Sequence, residues 1–274
     1  IVDVQDLWPE AFKMVFNVPV ISDIVFRPMQ EKANRVYRSA NGIVAVSQTY
    51  ADRAMKVNKK CNNPTVVYLG TDKEKFDLYS EKLQDDKSGY IVGYVGSLAA
   101  SYDLKSVIDA LATIDVHKKV TFLVMGDGAL RESFEEYAKE KKIEAIFTGK
   151  LPYHVMIQKL VSCDVAINPI RKGSAGSIIN KVGDYAMAGL PVINTQGSNE
   201  YRQLLQQYEA GINCECENSK EIALALERLL LDDDLRIQIS RNSRKLGEER
   251  FDRKNTYYKL VDELIGNQGG ISEN

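Results

Sequence analysis

Several things are scarce in this 274-residue chain, and each scarcity narrows its function. No window approaches the run of about 18 apolar residues that a spanning helix needs. The first residues, with Asp3, Asp6, Glu10 and two prolines, do not read as a signal peptide. Histidine occurs twice, and no Ser-His-Asp set, metal cluster or paired general acid and base emerges from spacing. Four cysteines, Cys61, Cys163, Cys214 and Cys216, are too few and too irregular for a disulfide framework. Cys214 and Cys216 also lack the two-residue spacing of redox and zinc pairs, so the thiols read as reduced, in a cytoplasmic protein. The net charge is −2 and the basic residues are scattered, which leaves no stripe for a phosphate backbone and argues against nucleic acid as a main partner. No internal repeat or low-complexity block is present.

What is present is a globular composition, 44% hydrophobic and 27% charged, at a length that suits one large or two smaller domains. From Tyr90 onward, short apolar runs alternate with longer amphipathic ones. The runs at 91–95, 120–125, 143–147, 164–168, 190–194 and 211–215 predict strands buried on both faces. Leu104, Val107, Ile108 and Leu111 predict a helix between the first two, 130–137 predicts a weaker one, and 219–231 a third. Six strands with intervening helices imply an α/β, doubly wound parallel sheet. Earlier in the chain, strands are expected at 42–47 and 64–69 after a helix around 30–38. The polar run from Gly70 to Gly89 has the composition of a linker, which sets a boundary near residue 74. Three parts follow: 1–73, 74–250, and 251–274, the last being an amphipathic helix, "FDRKNTYYKLVDELI", and a polar tail. The chain enters at "IVDVQDLWP" as if in mid-strand, and truncation of a longer protein is the expectation.

Parallel sheets bind ligands at the carboxyl ends of their strands, where helix N-termini present free N–H groups. Three turns there are rich in small residues. Gly96 and Ser97 follow the first strand, and a tight turn capped by Ser101 or Asp103 explains them equally well. Gly126 and Gly128 flank Asp127, which is ordinary turn chemistry. The third turn, "GSAGSIINKVGDYAMAGLPVINT", opens with small residues from Gly173 to Ser177, starts a helix near Ile178 and sets Lys181 in its first turn. A cation there opposes the helix dipole by about 0.3–1 kcal/mol unless an anion lies between. A bound phosphate fits that placement, and so does a solvated lysine snorkelling over the sheet. Asp184 either pairs with Lys181 on one helix face or accepts hydrogen bonds from ribose hydroxyls. His117 reads as a solvated loop residue, and His154 as a helix-start histidine at the edge of the glycine turns.

Read in order, "ANGIVAVSQTYADR", "VVYLGTDKEKF", "YVGSL", "VMGDGALRESF", "FTGKLPYHVMIQKLVSCDVAINP" and "NKVGDYAMAGLPVINT" resemble the nucleotide-sugar-dependent glycosyltransferases of family 4, in particular bacterial members that build surface polysaccharides. The resemblance implies a GT-B fold: an N-terminal acceptor domain, a Rossmann-like donor domain and a cleft between them. It implies a retaining sugar transfer, without a metal ion or other cofactor, from a nucleotide-diphosphate donor, UDP-linked, to a glycan or lipid-linked acceptor. It further implies a cytoplasmic enzyme, peripheral at the inner face of the membrane through the missing N-terminal part, and inactive as this fragment alone. Its residue roles carry over by position. The second of the family's two spaced glutamates falls on Asp184, which would hold the ribose, and the first falls on Gly176, which has no carboxylate. Ser97 stands where many members have an arginine. Lys181, with the backbone around Gly96, Ser97, Ser174, Gly176 and Ser177, would then carry the diphosphate. Thr148, Gly149 and Lys150 would meet the nucleobase, with Gly126 lining the same pocket. A donor-binding module without catalysis and a GT-B sugar-nucleotide epimerase are the rival readings, the second of which would need acid and base groups beyond His154.

Overall fold

The computed structural model describes residues 1–10, 21–80, 89–174 and 177–266. Apolar runs of four to six residues become parallel strands here because helices cover the sheets, so that the central strands are buried on both faces. The first lobe contains β1 (Val2–Val4), α1 (Ile21–Ser39), β2 (Ile43–Ala45), α2 (Gln48–Met55) and β3 (Thr65–Val66). Its three strands pair in parallel in the order β1-β2-β3. Ala33, Tyr37, Ile43, Ala45, Ala51 and Ala54 form its core.

The second lobe begins with α3 (Lys73–Tyr79) and runs through β4 (Tyr90–Val95), α4 (Leu104–Leu111), β5 (Val120–Met125), α5 (Arg131–Glu140), β6 (Ala145–Phe147) and α6 (Tyr153–Leu160). It continues through β7 (Val165–Asn168), α7 (Lys181–Met187), β8 (Val192–Asn194), α8 (Asn199–Tyr208), β9 (Gly211–Asn213), α9 (Ser219–Leu231) and α10 (Asp233–Leu246). A wide π-type turn, Gly247–Phe251, then leads to α11 (Arg253–Thr256) and α12 (Tyr258–Gly266), which lies against β3 of the first lobe. The six strands stand in the order β6-β5-β4-β7-β8-β9, all parallel. Strand order therefore reverses between β4 and β7, the switch point of a doubly wound sheet. Side-chain alternation divides the core between the two faces. Val92, Tyr94, Phe122 and Val124 pack under α4 and α9, whereas Leu123, Met125 and Ala166 pack against α6, α7 and α8.

Several details depart from the sequence expectations. The strands expected at 143–147, 211–215 and 64–69 are trimmed to β6, β9 and β3, each a sheet edge with a partner on one side only. The strand expected at 190–194 starts late, at Val192, after Pro191, which has no N–H to donate. The early helix is longer than 30–38, beginning at Ile21. The polar run after Gly70 is in part the helix α3, capped by Asp72 and pinned by the fully buried Phe76, while residues 81–88 lie outside the described ones. The helix after the serine-rich turn starts at Lys181 rather than Ile178, because the N–H groups of Val182 and Gly183 bond three residues back, to Ile179 and Asn180, in a tighter turn. Finally, the single helix expected over 251–265 is broken at Asp252, whose extended backbone and side chain cap α11.

Candidate functional site

The switch point opens because β4 and β7 pair only at Val92–Val165 and Gly93–Ala166, so beyond those positions the two strands splay. Tyr185, from α7, fills the gap from below. Its hydroxyl accepts from the Val95 N–H at 2.8 Å and lies 3.3 Å from the Ile167 carbonyl, satisfying polar groups that the absent ladder leaves unpaired. The loops above are zipped together: the Asp103 N–H donates to the Pro169 carbonyl at 3.0 Å, and the Arg171 N–H to the Ser101 carbonyl at 3.1 Å. Asp103, one of the two cap candidates, accepts from the Ser106 N–H at 3.3 Å and caps α4.

Lys181 sits directly under this opening. Its residue is only 9% exposed, and its Nζ is buried without a hydrogen-bond partner. It lies 4.2 Å from the ring centre of Tyr94 and 4.0 Å from that of Tyr102, two rings that meet edge to face. Ring faces attract a cation, yet burial away from water dominates and pushes the ammonium well below the usual lysine range. Gly96 makes room for it. With φ at +146°, a side chain there would bring its Cβ within 2.9 Å of Lys181 Nζ. Gly126 in turn backs Gly96, since a Cβ at Gly126 would meet the Gly96 carbonyl oxygen at 1.7 Å.

A cleft of about 510 Å³ spans the two sheets at this point. Its second-lobe wall includes Gly96, Tyr102, Ser174, Ser177 and Lys181, and its first-lobe wall includes Asp6, Val46 and Tyr50, beyond the carboxyl ends of β1 and β2. Both sheets thus aim their ligand-binding ends into one space. The Ser177 hydroxyl is a second buried polar group without a partner. Tyr50 donates to Asp6 at 3.3 Å, and burial together with that carboxylate pushes its hydroxyl up to about 12.

Asp184 lies one step away, in an adjoining pocket of about 330 Å³ that shares Asn180 with the cleft. One of its carboxylate oxygens accepts from Thr71 at 2.7 Å and from Tyr153 at 2.8 Å. Burial pushes its carboxyl above the usual range, against the pull of those two hydrogen bonds and of Arg253. Of the two readings open to this pair, Lys181 and Asp184 therefore form two separate polar stations rather than a surface ion pair, and Lys181 is buried rather than solvated.

Of the other sequence candidates, Ser97 is exposed beside Gly96, its carbonyl held by the Tyr94 hydroxyl at 2.7 Å. Thr148, Gly149 and Lys150 follow β6, two strands from the switch point, with Gly149 at φ +72° against Arg131. Gly176 falls outside the described residues. His154 is exposed and packs at a tilt against Tyr79, and the exposed His117 stands edge-on to Tyr90, so neither lines the cleft. Sequence reasoning missed Tyr94 and Tyr185, because a tyrosine on an apolar strand or helix reads as core, and Tyr102, which lies in the turn before α4. It also missed Thr71 and Tyr153, which reach Asp184 from distant segments. A larger hollow, about 1010 Å³, opens at the opposite end of the sheet beside Ser80, Ile91, Asp164 and Pro191, far from the turns at Gly96 and Gly126.

Two parallel sheets, covered by helices and facing each other's carboxyl ends across a cleft, define the GT-B class of α/β proteins. Within that class, the chain belongs to the family of glycosyl transferases group 1, whose profile matches residues 75–246. It is similar to the probable glycosyltransferase WbjE of Pseudomonas aeruginosa, with 23% identity over 249 residues, covering 86% of this chain and 60% of that one. It is likewise similar to the capsular polysaccharide biosynthesis glycosyltransferase CapM of Staphylococcus aureus, with 26% identity over 231 residues, 77% of this chain and 58% of that one. The chain thus spans about three fifths of the length of these relatives. Among solved structures, Anabaena HepE in complex with UDP and glucose aligns with a TM-score of 0.69 at 18% identity, over 85% of this chain and 66% of that one. Sucrose-phosphate synthase from Thermosynechococcus elongatus aligns with a TM-score of 0.71 at 16% identity, over 87% and 61%. At these identities the likeness is one of fold.

Proposed function

We propose that this protein is a retaining glycosyltransferase. It moves a sugar from a nucleoside-diphosphate donor, UDP-linked, to a glycan or lipid-linked acceptor in surface polysaccharide synthesis. The observation that carries the reading is Lys181: a buried, unpartnered cation at the switch point of a Rossmann-like sheet, beside an equally unpartnered serine hydroxyl. A buried ammonium without a hydrogen bond is costly, and an anion arriving from the cleft supplies what it lacks. The named activities of WbjE and CapM, and the UDP held by HepE, point to a nucleotide-sugar as the source of that anion.

The chemistry follows from charge placement. Breaking the bond at the sugar's anomeric carbon leaves negative charge on the diphosphate, and a preorganised cation with nearby N–H and hydroxyl groups stabilises that charge as it develops. Lys181, Ser174, Ser177 and the Gly96–Ser97 turn take this role, and no metal ion is invoked. Diphosphate is a good leaving group, so no general acid is assigned to it. Asp184, with Tyr153, takes the ribose, and the turn at Thr148, Gly149 and Lys150 takes the base. The first lobe faces the acceptor. The enzyme works in the cytoplasm, peripheral to the membrane that carries lipid-linked acceptors. Calorimetric titration with UDP, GDP, ADP and dTDP tests the reading. One of them binds the wild-type chain and fails to bind Lys181→Met; binding of none, or equal binding by both proteins, overturns it.

A further inference from the structure

Three neighbouring strands each end in asparagine. Asn168, Asn194 and Asn213 stand in register at the carboxyl ends of β7, β8 and β9. Neighbouring strands lie about 4.8 Å apart, so side chains in register on one face reach one another. The Asn168 Nδ2 donates to Asn194 Oδ1 at 2.8 Å, the Asn194 Nδ2 to Asn213 Oδ1 at 2.8 Å, and the Asn213 Nδ2 to the Arg202 carbonyl of α8 at 3.0 Å. Each amide passes its donor in the same direction along the row.

Gln196 joins this row to the cleft. Its backbone N–H donates to Asn194 Oδ1 at 3.1 Å, its Oε1 accepts from Asn168 at 3.3 Å, and its Nε2 donates to the Ser177 carbonyl. Thr195 holds the other end of the same loop: its hydroxyl accepts from the Ile170 N–H at 2.8 Å and donates to the Ile170 carbonyl at 2.9 Å. The loop that leaves β7 is therefore fastened at Ile170 and again at Ser177, and the second fastening lies four residues before Lys181. Asn168, Asn194, Thr195 and Gln196 are all at most 1% exposed.

Buried amides cost about 1–3 kcal/mol each when unpaired, and pairing roughly restores that loss. Such a row adds little net stability, and the Asn168 Oδ1 is left buried without a partner; what the row adds is a fixed geometry, since every amide nitrogen in it has its acceptor. That geometry ends on one carbonyl in the wall of the cleft. We propose that Gln196 is a positioning residue of the diphosphate site, holding the Ser177 carbonyl so that the loop bearing Ser177 and Lys181 keeps the shape that receives the phosphates. The proposal rests on the nucleotide reading of the cleft.

The test separates the two ends of the ligand. Wild-type chain is titrated with the nucleoside diphosphate that binds it, and saturation-transfer NMR follows the matching nucleoside, which lacks phosphates. Gln196→Met keeps the volume and removes both amide contacts; Gln196→Asn keeps an amide that is one methylene too short to reach Ser177. In either folded variant, diphosphate affinity falls about tenfold or more, as small misplacements in preorganised sites do, while nucleoside affinity is retained. If one variant fails to fold, the other decides the question. Unchanged diphosphate affinity, or an equal loss of both ligands, overturns the positioning role. A wild-type chain that binds no nucleoside diphosphate overturns the nucleotide reading as well, which distinguishes the two failures.

Discussion

Lys181 is the residue on which binding and folding make opposite demands. Removing its buried, unpartnered ammonium relieves the folded protein, since a folded-state lysine held below its ordinary range is protonated more readily in the unfolded chain. Lys181→Met is therefore expected to raise the stability of the ligand-free protein by about 1 kcal/mol at neutral pH, measured by denaturant unfolding, while diphosphate binding is lost. A drop in stability contradicts the burial argument. The pH dependence has a definite sign. Tyr94 and Tyr102 flank Nζ, and Asp6 faces it across the cleft; a bound diphosphate raises the affinity of Nζ for its proton, so binding takes up a proton. Affinity falls as pH rises through the free lysine's lowered range, and calorimetry in buffers of different ionisation enthalpy detects the uptake. At Asp184 the shift is upward, so the carboxylate's contribution to folding weakens as pH rises through its raised value.

Elements explain why the cleft lies where it does. β4 and β7 part after two residue pairs, and the Tyr185 hydroxyl takes over where their ladder stops. Tyr185→Phe leaves the Val95 N–H without its partner and is expected to cost about 1–3 kcal/mol, read from chemical denaturation; an unchanged midpoint means that water replaces the hydroxyl. This level also separates what the sequence disclosed from what it hid. The parallel sheet was legible from apolar runs of strand length, and the Gly96 and Lys181 turns from small residues followed by a misplaced cation. The asparagine row went unread although "VAIN", "PVIN" and "GIN" all end alike, because its meaning depends on strand register, which no single segment carries. Pairings such as Thr71 with Asp184 arise from chain reversals more than a hundred residues long, and local pattern holds no trace of them.

At the scale of the whole molecule, the lobes are joined by named contacts. Glu200, at the start of α8, accepts from the Gln48 N–H at 2.8 Å and the Thr49 N–H at 3.4 Å, and from the Tyr68 hydroxyl at 2.8 Å. A carboxylate at the N-terminus of α2 meets the positive end of that helix; burial, together with that carboxylate's charge and hydrogen bond, pushes the Tyr68 hydroxyl up to about 12. Glu200→Ala is expected to lower stability by about 1–2 kcal/mol and to speed proteolysis between the lobes, with diphosphate affinity unchanged because Glu200 is outside the cleft. Loss of affinity in that variant means that the lobes bind the nucleotide jointly.

One further contact concerns how the lobes are tied. The chain crosses out of the first lobe at Gly70 and Thr71 and comes back at Asp252 and Arg253, and these two crossings are bonded to each other. The Thr71 N–H donates to the Phe251 carbonyl at 2.7 Å and the Arg253 N–H to the Thr71 carbonyl at 3.0 Å, while a Cβ on Gly70 would collide with the Phe251 oxygen at 2.1 Å. Two tethers fixed at separate points would let the halves slide and twist past each other. Two tethers laced into one seam join the lobes at a single place, and any rotation of one jaw against the other would have its axis there.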